Sequence, residues 1–469
     1  MAFRHGVYKQ EVPTSIVAPT QGYAGLPVIF GTAPVFMGDR TCVNKPKLVS
    51  TYEEAVEIFG YSDDWDSWTL CEFIYSYFVL YGQSPAVLVN VFDPTRHIEG
   101  LEPEEFTPVN NMVNLGQNII FTAAPTDSRL GDYYDAEGNA VVTVPSTMTT
   151  LRMTHWAKAR PDLVTASDII GGYSVSSGSN TGLECIQDVF PKYRLIPGLI
   201  GVPKWSEVPE VAAVMRAKTE NINGLFTCMS VVDIPSGSGG ATSYTEAPLW
   251  KTSHNYTSER QVVCWPKVAL GGKEYHMSTQ LIGLMNKVDT SRGDIPYKSP
   301  SNELLQMDSC VAGSEELLMN IEQANYLNSQ GIVTALNWTG GWRAWGNRSG
   351  IYPSNTDVKD CFISVRRMMD YLGNTFATTF WQKVDEPMNP RLIRTIVNSF
   401  NMYINSLVAI EALLGGRVEF REDENSYTDL MNGILRFHVF ITPPVPAEVI
   451  EGIFEYDPEY LSTLYDAMK

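Results

Sequence analysis

The spacing of apolar residues changes character along the chain, and each change predicts a different kind of structure. Residues 1–25 are polar, carry Pro13 and Pro19, and alternate briefly at Val7, Val12, Ile16 and Val17, which predicts an extended arm. Leu26–Gly38 is a strand-like apolar run broken by Pro34. Over Thr51–Phe59 the spacing is helical, with Ser50 as the cap, Glu53 and Glu54 in the first turn, and Ala55, Val56 and Phe59 on one face. Trp68–Tyr81 predicts a helix apolar over most of its surface, and Ala86–Phe92 a buried strand. This α/β region ends near Asp93 and Pro94.

From 94 to 180 helical periodicity disappears. Short β-like runs at Asn118–Ala123, Tyr133, Tyr134 and Val141–Val144 alternate with turn residues such as Gly138 and Asn139. The segment closes on Gly171, Gly172 and the polar tract Ser176–Gly182, and an inserted β-rich domain is expected. The α/β style returns with helix Leu183–Phe190, strand Leu195–Val202, helix Val208–Thr219 and strand Leu225–Ile234. That order predicts a right-handed parallel crossover. Ser236–Ser243 reads as a loop, Val262–Leu270 with Tyr275 as a hairpin about Gly271 and Gly272, and Ile332–Leu336 as a strand. Thr279–Lys287, Glu315–Leu327, Val358–Gln382 and Asn389–Leu414 read as helices, with Gly415 and Gly416 at the C-cap of the last. Strands are expected at Leu435–Thr442 and Val449–Tyr456, on either side of Pro443, Pro444 and Pro446. Alternation of Val449, Glu451, Ile453 and Glu455 predicts that the last strand has one apolar and one acidic face.

The 469 residues suffice for about three ordinary domains of roughly 150 residues. Only 19% are charged, and with 10 Trp and 23 Tyr this points to large buried or contacting surfaces. The net charge of −19 argues against a nucleic-acid binder, which needs a basic field. No apolar run reaches the roughly 18 residues of a membrane span, so no membrane insertion is expected. Met1–Val12 lacks the apolar core of a secretory signal. Seven scattered cysteines without a C-x-x-C pair predict reduced thiols and a cytoplasmic setting.

Candidate chemistry adds little. Gly271, Gly272 and Lys273 lack the upstream glycine of a phosphate-binding loop, and no G-x-S-x-G elbow is present. The six histidines are far apart, and His438 reads as a strand residue. Asp63, Asp64 and Asp66 read as a solvated turn, as do Glu422, Asp423 and Glu424. Trp338, Trp342 and Trp345 read as packed interface aromatics. No catalytic residue, metal site or cofactor is therefore predicted. Two alternatives stay open: an α/β enzyme built on 183–345, and a carbohydrate-binding surface protein using 94–180 and the Trp cluster.

Several segments resemble the tail sheath proteins of contractile bacteriophages and phage-tail-like bacteriocins. Phe3-Arg-His-Gly-Val-Tyr-Lys-Gln-Glu-Val12 is similar to the family's H-G-V-x-x-x-E start. Asp168-Ile-Ile-Gly171-Gly172 followed by Asn180-Thr-Gly182-Leu resembles its central signature, and Pro197–Pro203 the strand after it. Ile295–Asn302 resembles a family loop. Trp342-Arg-Ala-Trp345-Gly-Asn-Arg348-Ser349 resembles its W-G-N-R-T motif, with Ser349 in place of Thr. Only 94–165 finds no match.

The resemblance implies a structural, non-enzymatic subunit that polymerises helically around an inner tail tube and contracts to drive it through a cell envelope. It implies a mixed α/β multidomain fold: a discontinuous α/β core, an inserted outer β-rich domain, and terminal arms that add strands to neighbouring subunits. The corresponding divisions are an arm 1–25, a first α/β segment 26–93, an insert 94–180, a central α/β domain 181–345, an inner helical α/β domain 346–446 facing the tube, and a linking strand 447–469. Linking residues would be Phe3, Val7, Lys9 and Val12 in one arm, and Val449, Glu451, Ile453, Phe454 and Glu455 in the other. Arg391, Arg394, Glu422, Asp423 and Glu424 would face the tube, and Gly171, Gly172, Gly182, Trp342, Trp345 and Arg348 would serve packing. Implied partners are other copies of the chain, the tube protein, and baseplate and tail terminator proteins. The implied location is a virion or phage-tail-like particle assembled in the bacterial cytoplasm.

Overall fold

The computed structural model describes residues 24–122, 131–135 and 138–466. Its central element is a six-stranded sheet formed by Pro27–Gly31 (β1), Lys47–Val49 (β2), Ala86–Asn90 (β3), Leu199–Gly201 (β4), Met229–Asp233 (β5) and Gln261–Cys264 (β6), in the order β6-β5-β4-β1-β3-β2. All neighbours are parallel except the edge strand β2. Every residue of β1, β3, β4, β5 and β6 is buried, as expected where helices cover both faces. This explains why these strands read as unbroken apolar runs. Strand β1 lies between β3 and β4, so one sheet joins residues from both sides of the 94–180 segment.

The helix Met277–Thr290 (α1) packs closely against this sheet at Gly201. A Cβ on Gly201 would lie 2.6 Å from Ile282 Cδ1 and 2.8 Å from Ile29 Cδ1. The 94–180 segment forms small antiparallel sheets, with Trp156–Ala159 between Ile98–Gly100 and Ile119–Phe121, and Asn139–Thr143 between Met112–Gln117 and Gly131–Tyr134. Val113, Ile119, Phe121, Val142, Leu151 and Trp156 belong to a buried cluster of its own. A third cluster gathers the long helices Ile363–Phe380 (α2) and Pro390–Ala409 (α3) with the antiparallel hairpin Gly415–Glu419 (β7) and His438–Thr442 (β8).

Local chemistry moved several boundaries. Thr51, not Ser50, caps the first helix, its side chain accepting from the Glu54 amide, while the Ser50 amide donates to the Glu54 carboxylate. The helix after Trp68 is α-helical over Thr69–Ile74 and widens into a π turn over Tyr75–Leu80. Gly182–Asp188 is 3-10 and only Val189–Tyr193 is α. Val262–Leu270 is not one strand of a hairpin. Its first part completes the parallel sheet, and only Lys267–Leu270, beyond Pro266, pairs with Lys273–Tyr275. The helix expected from Glu315 starts at Ile321, where Asn320 and Gln323 cap each other reciprocally. Helix α3 stops at Ala409, with Glu411 at φ +60°, so Gly415 and Gly416 open β7 and cap nothing.

The central sheet and the C-terminal helices are joined through charge. Arg367 of α2 donates to both carboxylate oxygens of Asp289 on α1, and both side chains are buried. Arg260 binds Asp370 at 3.0 Å, and Asn374 exchanges two hydrogen bonds with the Thr227 backbone. Removing one member of a buried pair strands the other in a dry site. Arg367→Met is therefore expected to destabilise the chain by about 3–5 kcal/mol, measured by denaturant unfolding, whereas Arg216→Met on the surface should cost under about 1 kcal/mol.

Candidate assembly surfaces

Segment 449–456 leaves the body without pairing to any strand of its own chain among the described residues. Val449, Ile450, Ile453, Phe454 and Tyr456 are 75–97% exposed. So much apolar surface in one short run makes the segment a candidate contact site. In an extended chain, residues two apart share a face. Glu451 and Glu455 therefore stand with Val449 and Ile453, while Ile450, Phe454 and Tyr456 form a wholly apolar face. This corrects the expected separation of apolar and acidic faces. The other expected linkers, Phe3, Val7, Lys9 and Val12, lie outside the described residues.

The hairpin β7–β8 is a two-stranded sheet, so each strand has one unpaired edge. It packs on α3, with Asn401 exchanging hydrogen bonds with the Val418 backbone. His438 lies in β8, its Nδ1 2.6 Å from Glu424.

The W-G-N-R-S stretch has a clear structural task. Gly341–Trp345 pairs with Thr334–Trp338, and Trp345 Nε1 donates to Asn325. Trp342 is half-buried against the main core, whereas Trp338 is exposed at the hairpin end. Gly346 has φ of +138°, a conformation that favours glycine, and a Cβ there would also sit 3.0 Å from the Val333 Cα. Beyond it, the Ile363 amide donates to Asn347, the Ser349 amide to Cys361, and the buried Ser349 hydroxyl to the Asp360 carbonyl. Arg348 is thereby held with its guanidinium 3.8 Å from the Phe362 ring centre and 4.6 Å from that of Tyr352. Its Nε and Nη2 donate to the two carboxylate oxygens of Glu448 at 2.7 and 2.5 Å. Only arginine offers this flat two-pronged donor. Glu448 was missed in the sequence, because one acid among the several of the C-terminal segment carries no mark of its distant partner.

The glycine signature is equally physical. Gly171 and Gly182 have φ of +61° and +56°, and a Cβ on either would lie 2.0–2.3 Å from a backbone carbonyl oxygen of the facing turn. They close the hairpin of Gly172–Ser174 and Ser179–Thr181.

Arg391 and Arg394 are exposed in the first turns of α3, whose amides Asn389 caps. A helix N-terminus disfavours cations, so their placement there is not for the helix's own stability. Glu422, Asp423 and Glu424 form a 3-10 turn. Arg421 binds Asp423 at 2.7 Å and Glu424 at 3.6 Å, which leaves Glu422 without an ion pair among the described residues. Among the described residues no hydrogen bond or ion pair joins Arg391 or Arg394 to Glu422, Asp423 or Glu424.

A group of titratable side chains, not singled out by sequence, lies where β5 ends and α1 begins. His276 donates its amide to Glu72 and places Nδ1 2.7 Å from the same carboxylate; Glu207 stands 3.6 Å from Nε2. Asp233 accepts from Ser278 and Ser206. Glu72, Asp233 and His276 are buried and Glu207 is half-buried; Glu72 and Asp233 accept from the start of α1, while His276 Nε2 and Glu207 Oε1 face each other without a hydrogen bond. Burial alone would lower the His276 pKa, but the charge and hydrogen bond of Glu72 outweigh it and raise it to about 9.

Among the described residues no helix is long and apolar enough to cross a membrane. All seven cysteines are buried and unpaired. Residues 357–453 match the phage tail sheath C-terminal domain family. The tail sheath protein of Burkholderia phage BcepMu is 27% identical over 410 residues, 82% of this chain and 84% of that protein. The tail sheath protein of Escherichia phage P2 is 24% identical over 310 residues, 64% and 73% of the two chains. The fold covers 97% of this chain and all of the contracted helical sheath subunit of the anti-feeding prophage, at a TM-score of 0.61 and 15% identity. The sheath of the PVC extracellular contractile injection system gives 0.61 at 14% identity, over 98% and 99%. The architecture is thus that of contractile sheath subunits. In sequence over most of its length, and in fold over nearly all of it, the chain is similar to contractile tail sheath proteins.

His276 gives a pH test. Its folded pKa lies above the ordinary 6.5, so its stabilising contribution is complete below about pH 6.5 and is lost as pH rises through about 9. Chemical unfolding from pH 6 to 10 should show the parent losing a few kcal/mol relative to Glu72→Gln/His276→Gln, groups such as buried Lys251 that titrate in the same window cancelling in the comparison.

Proposed function

We propose that this chain polymerises helically around an inner tail tube, linked to its neighbours by strands donated from both termini, and that contraction of the lattice drives the tube through a target envelope. The observation that carries the reading is the C-terminal segment, whose apolar side chains are largely exposed and pair with no strand among the described residues. Edge strands β7 and β8 offer the complementary surface, an open sheet to which an extended segment can add. At roughly 0.5–1.5 kcal/mol per backbone hydrogen bond, six added residues supply a few kcal/mol per link. Burial of Phe454 and its neighbours adds to this.

In this reading the subunit has a structural task and no catalytic one, and it resides in a virion or phage-tail-like particle assembled in the bacterial cytoplasm. The separate buried clusters support the division into an α/β core, an outer insert over 94–180 and an inner unit over 346–446. The tube contact is placed at Arg391, Arg394 and Glu422, with Asp423 and Glu424 contributing less because Arg421 already neutralises them. Baseplate and terminator proteins would cap the lattice. Contraction is a rigid-body repacking in which the strand links persist and subunits reorient about them.

Deleting 447–469 should leave a folded monomer by circular dichroism and abolish tubes in negative stain. Tubes of normal order from the truncated chain would refute the linking role. Arg391→Gln/Arg394→Gln should shorten sheath on tube while leaving empty sheath polymers unaffected, and unchanged length on the tube would remove those residues from that contact.

A further inference from the structure

We infer that the flexible part of the C-terminal arm begins after Glu448 and not at the end of β8, because the Arg348–Glu448 pair turns residues 443–448 into a fixed strut. The inference rests on the linking role proposed above and says how the arm is aimed. A Pro-rich stretch between β8 and the arm reads in sequence as a hinge. The geometry points the other way. Pro443 is buried and Pro444 and Pro446 are half-buried, so the prolines are seated on the body while Val445 and Ala447 face outward between and after them. Proline fixes φ and limits bending. Pro446, Ala447 and Val449 form one side of a groove whose other side includes Trp345, Gly346 and Asn347. The strut is pinned at both ends, by the pairing of Thr442 with Gly415 and by the fork of Arg348 on Glu448.

Arg348 is itself immobilised. It stacks between Phe362 and Tyr352, donates Nη1 to Cys361 Sγ at 2.8 Å, and is flanked by the hydrogen bonds of Asn347 and Ser349. A pre-ordered arginine loses little entropy on gripping a carboxylate. The pair therefore sets the direction in which Val449 and the apolar residues after it leave the subunit. Arg348 acts as a positioning residue for the arm, which gives the W-G-N-R-S stretch a task beyond packing. An arm aimed in advance pays less of the ordering cost when it meets a neighbouring sheet.

Because all seven native cysteines are buried, a single introduced cysteine can be spin-labelled selectively. Two labels on the full chain in dilute, unpolymerised solution make the test, at Ala447→Cys inside the strut and at Gly452→Cys beyond it. In the parent, the label at 447 should give a slow spectrum and that at 452 a fast one. Arg348→Ala and Glu448→Gln should each raise the ratio of fast to slow component at 447 by roughly tenfold, as expected for losing a charge-assisted pair, without changing the label at 452. The two together should do no more than either alone. Arg348→Lys, which keeps the charge but not the fork, should fall between. A fast label at 447 in the parent, or no response to either substitution in chains that keep native circular dichroism, overturns the inference. Polymerisation is scored separately in negative stain. No tubes from the parent would refute the linking role and leave the strut standing, whereas a fast label at 447 with normal tubes would refute the strut alone.

Discussion

Burial of a parallel sheet on both faces is the constraint on which the rest of the molecule depends. Five of the six central strands have no exposed residue, so helices must cover both sides and the register cannot slip without exposing apolar surface. The strands come from two stretches of chain, yet β1 pairs with both β3 and β4. The long segment between β3 and β4 must therefore leave and return at fixed points. It can vary freely only if it carries its own core, which the cluster around Val142 and Trp156 supplies. The C-terminal helices are tied to the α/β body through Arg367–Asp289 and Arg260–Asp370, both on α2, and α3 joins them by packing on α2.

What could be read from sequence follows from the range of the forces involved. Doubly buried strands announce themselves as continuous apolar runs, and the long amphipathic helices by their period, because both signals are local. The parallel crossover from β4 to β5 followed from element order alone. The boundaries that moved were decided by interactions between neighbours that compete closely: Thr51 against Ser50 as a cap, Asn320 with Gln323 beginning a helix late, and Pro266 dividing a run that looked uniform. Gly415 and Gly416 show the limit from another side. Glycines after a helix suggest a cap, but here they begin a strand, and a Cβ on Gly416 would press within 2.7 Å of the Phe440 carbonyl oxygen.

The surfaces were legible unevenly for the same reason. The apolar arm at 449–456 stood out because its pattern is local. The Arg348–Glu448 pair joins residues far apart in the chain, and the group around His276 gathers Glu72, Glu207 and Asp233 from three separate elements. No spacing rule reaches across such distances. The glycine signature and the W-G-N-R-S stretch were visible as patterns, and their reasons became physical only in three dimensions: two turns pressed together at Gly171 and Gly182, and an arginine held between two rings.

The net charge of −19 then has a more specific meaning than exclusion of nucleic acid. Much of the acid in the C-terminal region is neutralised within the chain, by Arg417 on Glu419, Arg421 on Asp423, Arg436 on Asp429 and Arg348 on Glu448. Glu451 and Glu455 are exposed on the arm and make no ion pair among the described residues. Their separation in an extended strand is about 13 Å, more than the Debye length of roughly 8 Å, so a partner surface meets them as two distinct charges. Apolar burial of Ile450, Phe454 and Tyr456 selects which face of the strand is covered. A slip of two residues keeps every side chain on its own face, so it is opposed by shape, with Gly452 falling where a larger side chain fits, and by charge. Such a slip would move both carboxylates by about 7 Å from any basic groups that meet them. In the linkage proposed above, the hydrophobic residues of the arm would specify its face, and Glu451 and Glu455 would add charge to shape in specifying its position.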